Sequence, residues 1–141
     1  IKEKYKDRVQ FRVRNFPIVS GHQFAMLAAK SAEAAALQGK YWEMHDKIFE
    51  GQKIWETTQS PESYFDQYAE EVGLDMEQYR IDKVSSEVSA TVNKDLADVK
   101  EIGGTGTPTF AINGEKVENP GPSVEALSKM IDDALAEAES N

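Results

Sequence analysis

Few side chains in this sequence are equipped for chemistry, and their spacing restricts what they could do. His22 and His45 are the only imidazoles, and the 141-residue chain has no cysteine. A histidine in each of two helical stretches, with Glu33, Glu43 and Asp46 nearby in sequence, is a conceivable metal-ligand set. Helical zinc sites, however, use H-x-x-E-H or H-E-x-x-H spacing, which puts the ligands on one face. Neither spacing occurs, so no metal site is expected. His45 falls among aromatic residues and reads as a hydrogen-bonded packing residue. Without a thiol the chain can neither form a disulfide nor attack one.

Other catalytic patterns are missing as well. No serine lies in G-x-S-x-G, and "GGTGTP" lacks the Lys-Ser/Thr ending of a phosphate-binding loop. Carboxylates are abundant, but no spacing pairs two of them in an apolar setting, so an acid/base dyad is not expected. No cofactor motif is recognised. Trp42, Trp55, Phe49, Phe65 and Tyr68 could line a peptide groove, although aromatics at helical spacing favour a core reading.

The most distinctive stretch is "GGTGTPTFAING", Gly103 to Gly114. Proline cannot donate to a ladder and belongs at an edge, at a first strand residue or at a bulge. Pro108 therefore reads as the holder of a loop or as the trans opening of an edge strand. Asn113-Gly114 is a strong hairpin signal, because a type I′ turn needs positive φ at both central residues.

Charge narrows the possible partners. Twenty-five acids against 16 bases give a net charge of -9, which disfavours a phosphate backbone, so no nucleic acid is expected. No apolar run approaches the roughly 20 residues of a membrane span. The opening "IKEKYKDRVQFRVR" is basic, and a solvated face explains it. No charged-then-apolar leader precedes it, and it opens without methionine, as a fragment or processed product would.

The elements that must position these groups follow from periodicity. Val9, Phe11 and Val13 alternate with Gln10, Arg12 and Arg14, which predicts a half-buried strand ended by Asn15-Phe16-Pro17. An alanine-rich helix is predicted over 21–38, with Phe24, Leu27, Ala28, Ala32 and Ala35 on one face and Gly39 as its stop. Tyr41, Trp42, His45, Ile48 and Phe49 recur at helical spacing. Ser60-Pro61 predicts an N-cap with proline at the first helical position, followed by Phe65, Tyr68, Ala69 and Val72 on one stripe. A short helix is expected over 75–81. Val84, Val88, Val92, Leu96 and Val99 then mark a helix over about 85–101. After the hairpin, Ser123 caps a last helix that buries Val124, Leu127, Ile131 and Leu135. Three strands cannot shelter five or six helices around one ordinary sheet. The block 21–84 is therefore expected as an inserted helical subdomain, with 1–20 and 85–141 forming the sheet domain.

Taken jointly and in order, "VQFRVRNFPI", "AAKSAEAAALQGKYWEMHDKIFEGQKIW", "YAEEVGLD" and "GGTGTPTFAINGE" resemble the DsbA-type thiol–disulfide oxidoreductases. The resemblance covers nearly the whole chain. It implies an α/β class: a thioredoxin-like sheet, incomplete for want of its first strand, with an inserted helical subdomain. In that family a strand and a helix bearing Cys-x-x-C come first, and "IKEKYKD" looks like the tail of that helix. The nucleophilic cysteine has no counterpart here, so the chain alone is expected to be inactive.

What carries over is the loop Gly106, Thr107 and Pro108. Thr107-Pro108 matches the family's cis-proline, which presents main chain to an extended, cysteine-containing client protein. The resemblance also implies work outside the reducing cytosol, in the periplasm or at the cell surface. An alternative is a non-catalytic peptide-binding or assembly module of the same fold. The exposed edge of the "VQFRVRN" strand would then recruit a second copy, with or without exchanged elements, or a separate N-terminal complement. A glutathione-using relative of the fold is a further variant.

Overall fold

The computed structural model describes residues 1–140. Eight helices and two strands follow in the order α1 (Lys2–Tyr5), α2 (Ala25–Ala36), α3 (Tyr41–Glu50), α4 (Gln52–Trp55), α5 (Pro61–Glu71), α6 (Met76–Asp82), α7 (Ser86–Glu101), β1 (Phe110–Ile112), β2 (Glu115–Val117) and α8 (Val124–Ser140). They fall into two compact units. One is Asn15–Ala97; the other joins Ile1–Arg14 to the stretch from Asp98 onward. Around the block 21–84 expected as an insertion, the compact helical unit runs from 15 to 97 and includes most of α7.

The helical unit is built on small residues. Ala28, Ala32, Ala34 and Ala35 of α2 are buried beside Met44 and Ile48 of α3, Phe65 and Ala69 of α5, and Tyr79 of α6. Alanine faces let helix axes approach closely, and the larger side chains fill the remaining volume. Trp55 shows how the polar cost is met: its indole N–H donates to the Ile48 carbonyl at 2.7 Å while the ring packs edge-on to Phe65. The Gln38 side-chain amide pairs with the Asp75 main chain, donating to its carbonyl at 3.1 Å and accepting from its N–H at 2.8 Å.

Helix ends follow the glycine signals. At Gly103, φ is +80°; its N–H bonds the Lys100 carbonyl and the Gly104 N–H bonds the Val99 carbonyl. That is a Schellman ending, which needs a left-handed residue after the last turn. At N-termini the agreement is mixed. Ser123 caps α8 through the Ala126 N–H at 3.1 Å. Ser60 makes no side-chain cap, and α5 opens on Pro61, which has no N–H to satisfy.

The smaller unit carries an antiparallel hairpin, with Phe110 opposite Val117 and Ile112 opposite Glu115. Asn113 and Gly114 turn it at φ of 51° and 88°. In the same unit Tyr5 is buried, with its hydroxyl 3.1 Å from the Ser128 carbonyl and 2.8 Å from Asp132 on α8. Arg8 reaches Glu139 at 3.0 Å, which further ties the N-terminal segment to α8.

The alternating segment beginning at Val9 departs from expectation. It runs without turn or bend but joins no ladder; among the described residues the sheet has two strands, β1 and β2. Alternation makes a segment suited to a sheet, but only a neighbouring strand makes it part of one. Two other side chains also leave their expected faces: Val84 is 75% exposed and Val124 is 57% exposed. Both sit at or before a helix start, where periodicity has no adjacent turn to pack.

Candidate functional site

The loop between α7 and β1 borders a cavity of about 340 Å³, lined by Gly106, Thr107, Pro108, Thr109, Phe110 and Lys116 among others. Its shape begins at the end of α7. A Cβ placed on Gly104 would lie 2.5 Å from Val99 Cγ1 and 2.8 Å from the Val99 carbonyl, so only glycine lets the chain turn this tightly against the helix. Thr109 Oγ1 then donates back to the Gly106 carbonyl at 2.7 Å. Lys116 Nζ donates to the Gly103 carbonyl at 2.9 Å, which anchors the hairpin to the loop. The Thr107–Pro108 peptide bond is cis.

Thr107 and Pro108 are exposed, while Gly106 and Thr109 are half-buried. Among the described residues neither the N–H nor the C=O of Thr107 has a hydrogen-bond partner. The site thus offers main-chain donors and acceptors beside a part-apolar, part-hydroxylated hollow. Such a site can hold an extended peptide. With no cysteine in the chain, the loop contributes no thiol of its own.

The two histidines, both in the helical unit, each lie against a carboxylate. His22 Nδ1 lies 3.0 Å from Glu56, and His45 Nδ1 lies 2.9 Å from Asp46. No group of three potential metal ligands occurs among the described residues. His45 packs between Trp42, edge-on at 5.2 Å, and Phe49, tilted at 4.8 Å, centroid to centroid. The aromatic set divides. Trp55, Phe65 and Tyr68 are core, Trp42 is half-buried, and Phe49 is 62% exposed, so the core reading fails for Phe49.

One constellation was missed in the sequence. Asp95 is 2% exposed and accepts both the main-chain N–H of Asn15 at 3.0 Å and its side-chain Nδ2 at 2.8 Å. The same Nδ2 reaches Glu33 at 2.7 Å. Two carboxylates are therefore brought together around a buried amide, a polar setting and not the apolar one of an acid/base dyad. The available signal was Asp95 itself, which occupies the buried stripe Val88, Val92, Asp95 and Val99 of α7 in place of an apolar residue. Burial raises the Tyr41 phenol well above its ordinary range, and the nearby charges of Glu33 and Asp95 add to the shift.

Comparison with known proteins defines the class. Residues 1–133 match the family model described as thioredoxin, and the chain belongs to that family. A solved thioredoxin-like oxidoreductase from Silicibacter pomeroyi superposes with a TM-score of 0.66 at 29% identity, covering 86% of this chain and 65% of that one. The fold is thus thioredoxin-like, mostly helical, with a small incomplete sheet and an inserted helical block.

Sequence relatives carry a transporter's name. The Na(+)/H(+) antiporter NhaA 3 of Salinispora tropica is 34% identical over 132 residues, which is 92% of this chain and 19% of that protein. The Na(+)/H(+) antiporter NhaA 1 of Mycolicibacterium vanbaalenii is 35% identical over 122 residues, 85% of this chain and 19% of that protein. The chain spans about a fifth of the length of these relatives. No described helix is long and apolar enough to cross a membrane.

Proposed function

We propose that this chain is the client-binding portion of a DsbA-type thiol–disulfide oxidoreductase, and that the redox cysteines act from outside this sequence. The observation that carries the reading is the exposed, unpaired main chain of Thr107 beside the cavity. An extended client strand lies along Gly106, Thr107 and Pro108, exchanging main-chain hydrogen bonds with Thr107 while its side chains enter the hollow. In the complete reaction a low-pKa thiolate attacks the client disulfide, forms a mixed disulfide and releases the client's other sulfur as thiolate. This chain positions the client for that exchange. An oxidising compartment, outside the cytosol, suits such chemistry.

Two measurements test the reading. Titration with an extended peptide should shift the amide resonances of Gly106, Thr107 and Thr109. Thr107→Pro, which removes the N–H offered to the client, should weaken binding by about tenfold. Unmoved loop resonances at saturating peptide would rule out the cradle. Turnover of a disulfide substrate by this cysteine-free chain alone would rule out the assignment of the sulfur chemistry.

A second reading rests on the relatives named as antiporters, of which this chain matches about a fifth. Here the chain is a peptide-binding module carried by a longer membrane protein, and ion transport belongs to the rest of that protein. Deleting the matched segment from such a relative should leave basal Na(+)/H(+) exchange in vesicles intact. Loss of exchange with the remaining protein folded would sink this version.

A further inference from the structure

The hollow beside Thr107 is lined by side chains that divide according to whether they already have partners. Lys116 Nζ donates to the Gly103 carbonyl at 2.9 Å, and Thr109 Oγ1 donates to the Gly106 carbonyl at 2.7 Å. Asn119 Oδ1 accepts the Gly121 N–H at 2.8 Å. Glu118 lines the same hollow and is exposed, and its carboxylate has no hydrogen bond or ion pair among the described residues. The Thr105 and Thr107 hydroxyls are likewise without a partner there. Glu118 directly follows β2, in a hairpin whose two strands pair residue for residue, so its place is fixed by groups within the stretch 103–121.

We propose that the client strand held at Thr107 carries a lysine or arginine whose side chain enters this hollow and pairs with Glu118, so that the loop selects basic peptides. The proposal rests on the client-binding reading above and adds the chemistry of the client. An ionised carboxylate is an acceptor only, and its complement is a group that brings several donors and a positive charge. A long basic side chain also suits the rest of the lining. Its aliphatic stem covers Pro108, Phe110 and Val117, while its charged end meets Glu118 and the threonine hydroxyls. Side chains of an extended strand alternate between two faces, so only every second client position faces the hollow.

An acidic client has a partner of its own in Lys116, whose ammonium keeps its charge. Two observations weigh against that occupant. One of the three Lys116 donors is already spent on the Gly103 carbonyl, whereas the Glu118 carboxylate is wholly open. The chain also carries a net charge of -9, and its summed field draws in a cationic peptide and repels an anionic one. Because Glu118 is exposed, the pair contributes a modest factor to affinity and a larger one to the choice between clients.

Three capped peptides of alanine, serine and threonine, identical except for one position holding lysine, norleucine or glutamate, test the preference. Each is titrated at low ionic strength against the amide resonances of Gly106, Thr107 and Thr109. The lysine peptide should bind about three- to fivefold more tightly than the norleucine peptide, with the glutamate peptide weakest. Moving the lysine along the host should keep the gain at alternate positions only. Added salt should shrink it. Glu118→Gln should bring the lysine and norleucine peptides to equal affinity, Glu118→Asp should retain the preference, and Glu118→Lys should transfer it to the glutamate peptide. Equal binding of all three peptides, or a lysine preference that survives Glu118→Gln, overturns the proposal and leaves the cradle standing. A preference for glutamate overturns it in favour of Lys116. Loop resonances unmoved by every peptide remove the cradle and the proposal together.

Discussion

The helical unit, Asn15–Ala97, and the smaller unit with the hairpin treat their main chain in opposite ways. In the helical unit most backbone groups bond within a few residues along the chain, and the helix ends finish on glycine motifs or on side chains such as Asp75, which caps α6 through the Gln78 N–H. The core then needs only matched side-chain volumes. In the smaller unit the hairpin satisfies itself locally, but Gln10 to Val13 and Thr107 keep open main chain. Helices can be completed by their own sequence, whereas strands need a neighbour that lies elsewhere. The comparison locates a packed side-chain core in one unit and open main chain in the other.

The strongest way to break that contrast is to excavate the helical core. Phe65 is 1% exposed and packs edge-on to Trp55 at 5.2 Å, so Phe65→Ala should destabilise by about 3–5 kcal/mol. Thermal denaturation followed by circular dichroism measures this, and a loss below 1 kcal/mol would show that the unit is not a packed core. Gly104→Ala comes next. Its Cβ meets Val99 side chain and carbonyl, so about 1–3 kcal/mol should be lost, together with peptide binding at the loop.

A pH series sharpens the comparison. Burial pushes the Tyr79 phenol up to about 12. A phenol that stays protonated in the folded chain but ionises near 10 when unfolded contributes stability fully below pH 10. That contribution is lost as the pH rises from about 10 towards 12. The helical unit should therefore unfold progressively on that limb, and Tyr79→Phe should shift the loss to higher pH. The smallest effect belongs to the same variant at neutral pH. The Tyr79 and Ser31 hydroxyls are both buried without a properly formed hydrogen bond, although Ser31 is near enough to influence the phenol's acidity. Removing the phenolic oxygen should change stability by no more than about 1 kcal/mol. A larger loss would reveal a bond that these positions do not show.

Much of the architecture could be read along the chain because its causes are local. Gly39, Gly73 and Gly103 end helices, Asn113-Gly114 turns the hairpin, and the Phe65, Tyr68 and Ala69 stripe faces inward, all as residue type and spacing dictate. The glycines and proline from 103 to 108 likewise marked a loop apart from its neighbours. Other features depend on groups distant in sequence. Asn15 meets Asp95 across 80 positions, and no periodicity in either segment announces the other. Phe49 lies on the same helical stripe as residues that become buried, yet nothing packs over it enough to cover it. Val9 to Val13 has the alternation of a strand and lacks the ladder. Local sequence determined which conformations each segment could adopt, because backbone sterics and short-range hydrogen bonds act within a few residues. Only the tertiary structure decided which surfaces found partners, because burial and strand pairing require groups that chain order does not bring together.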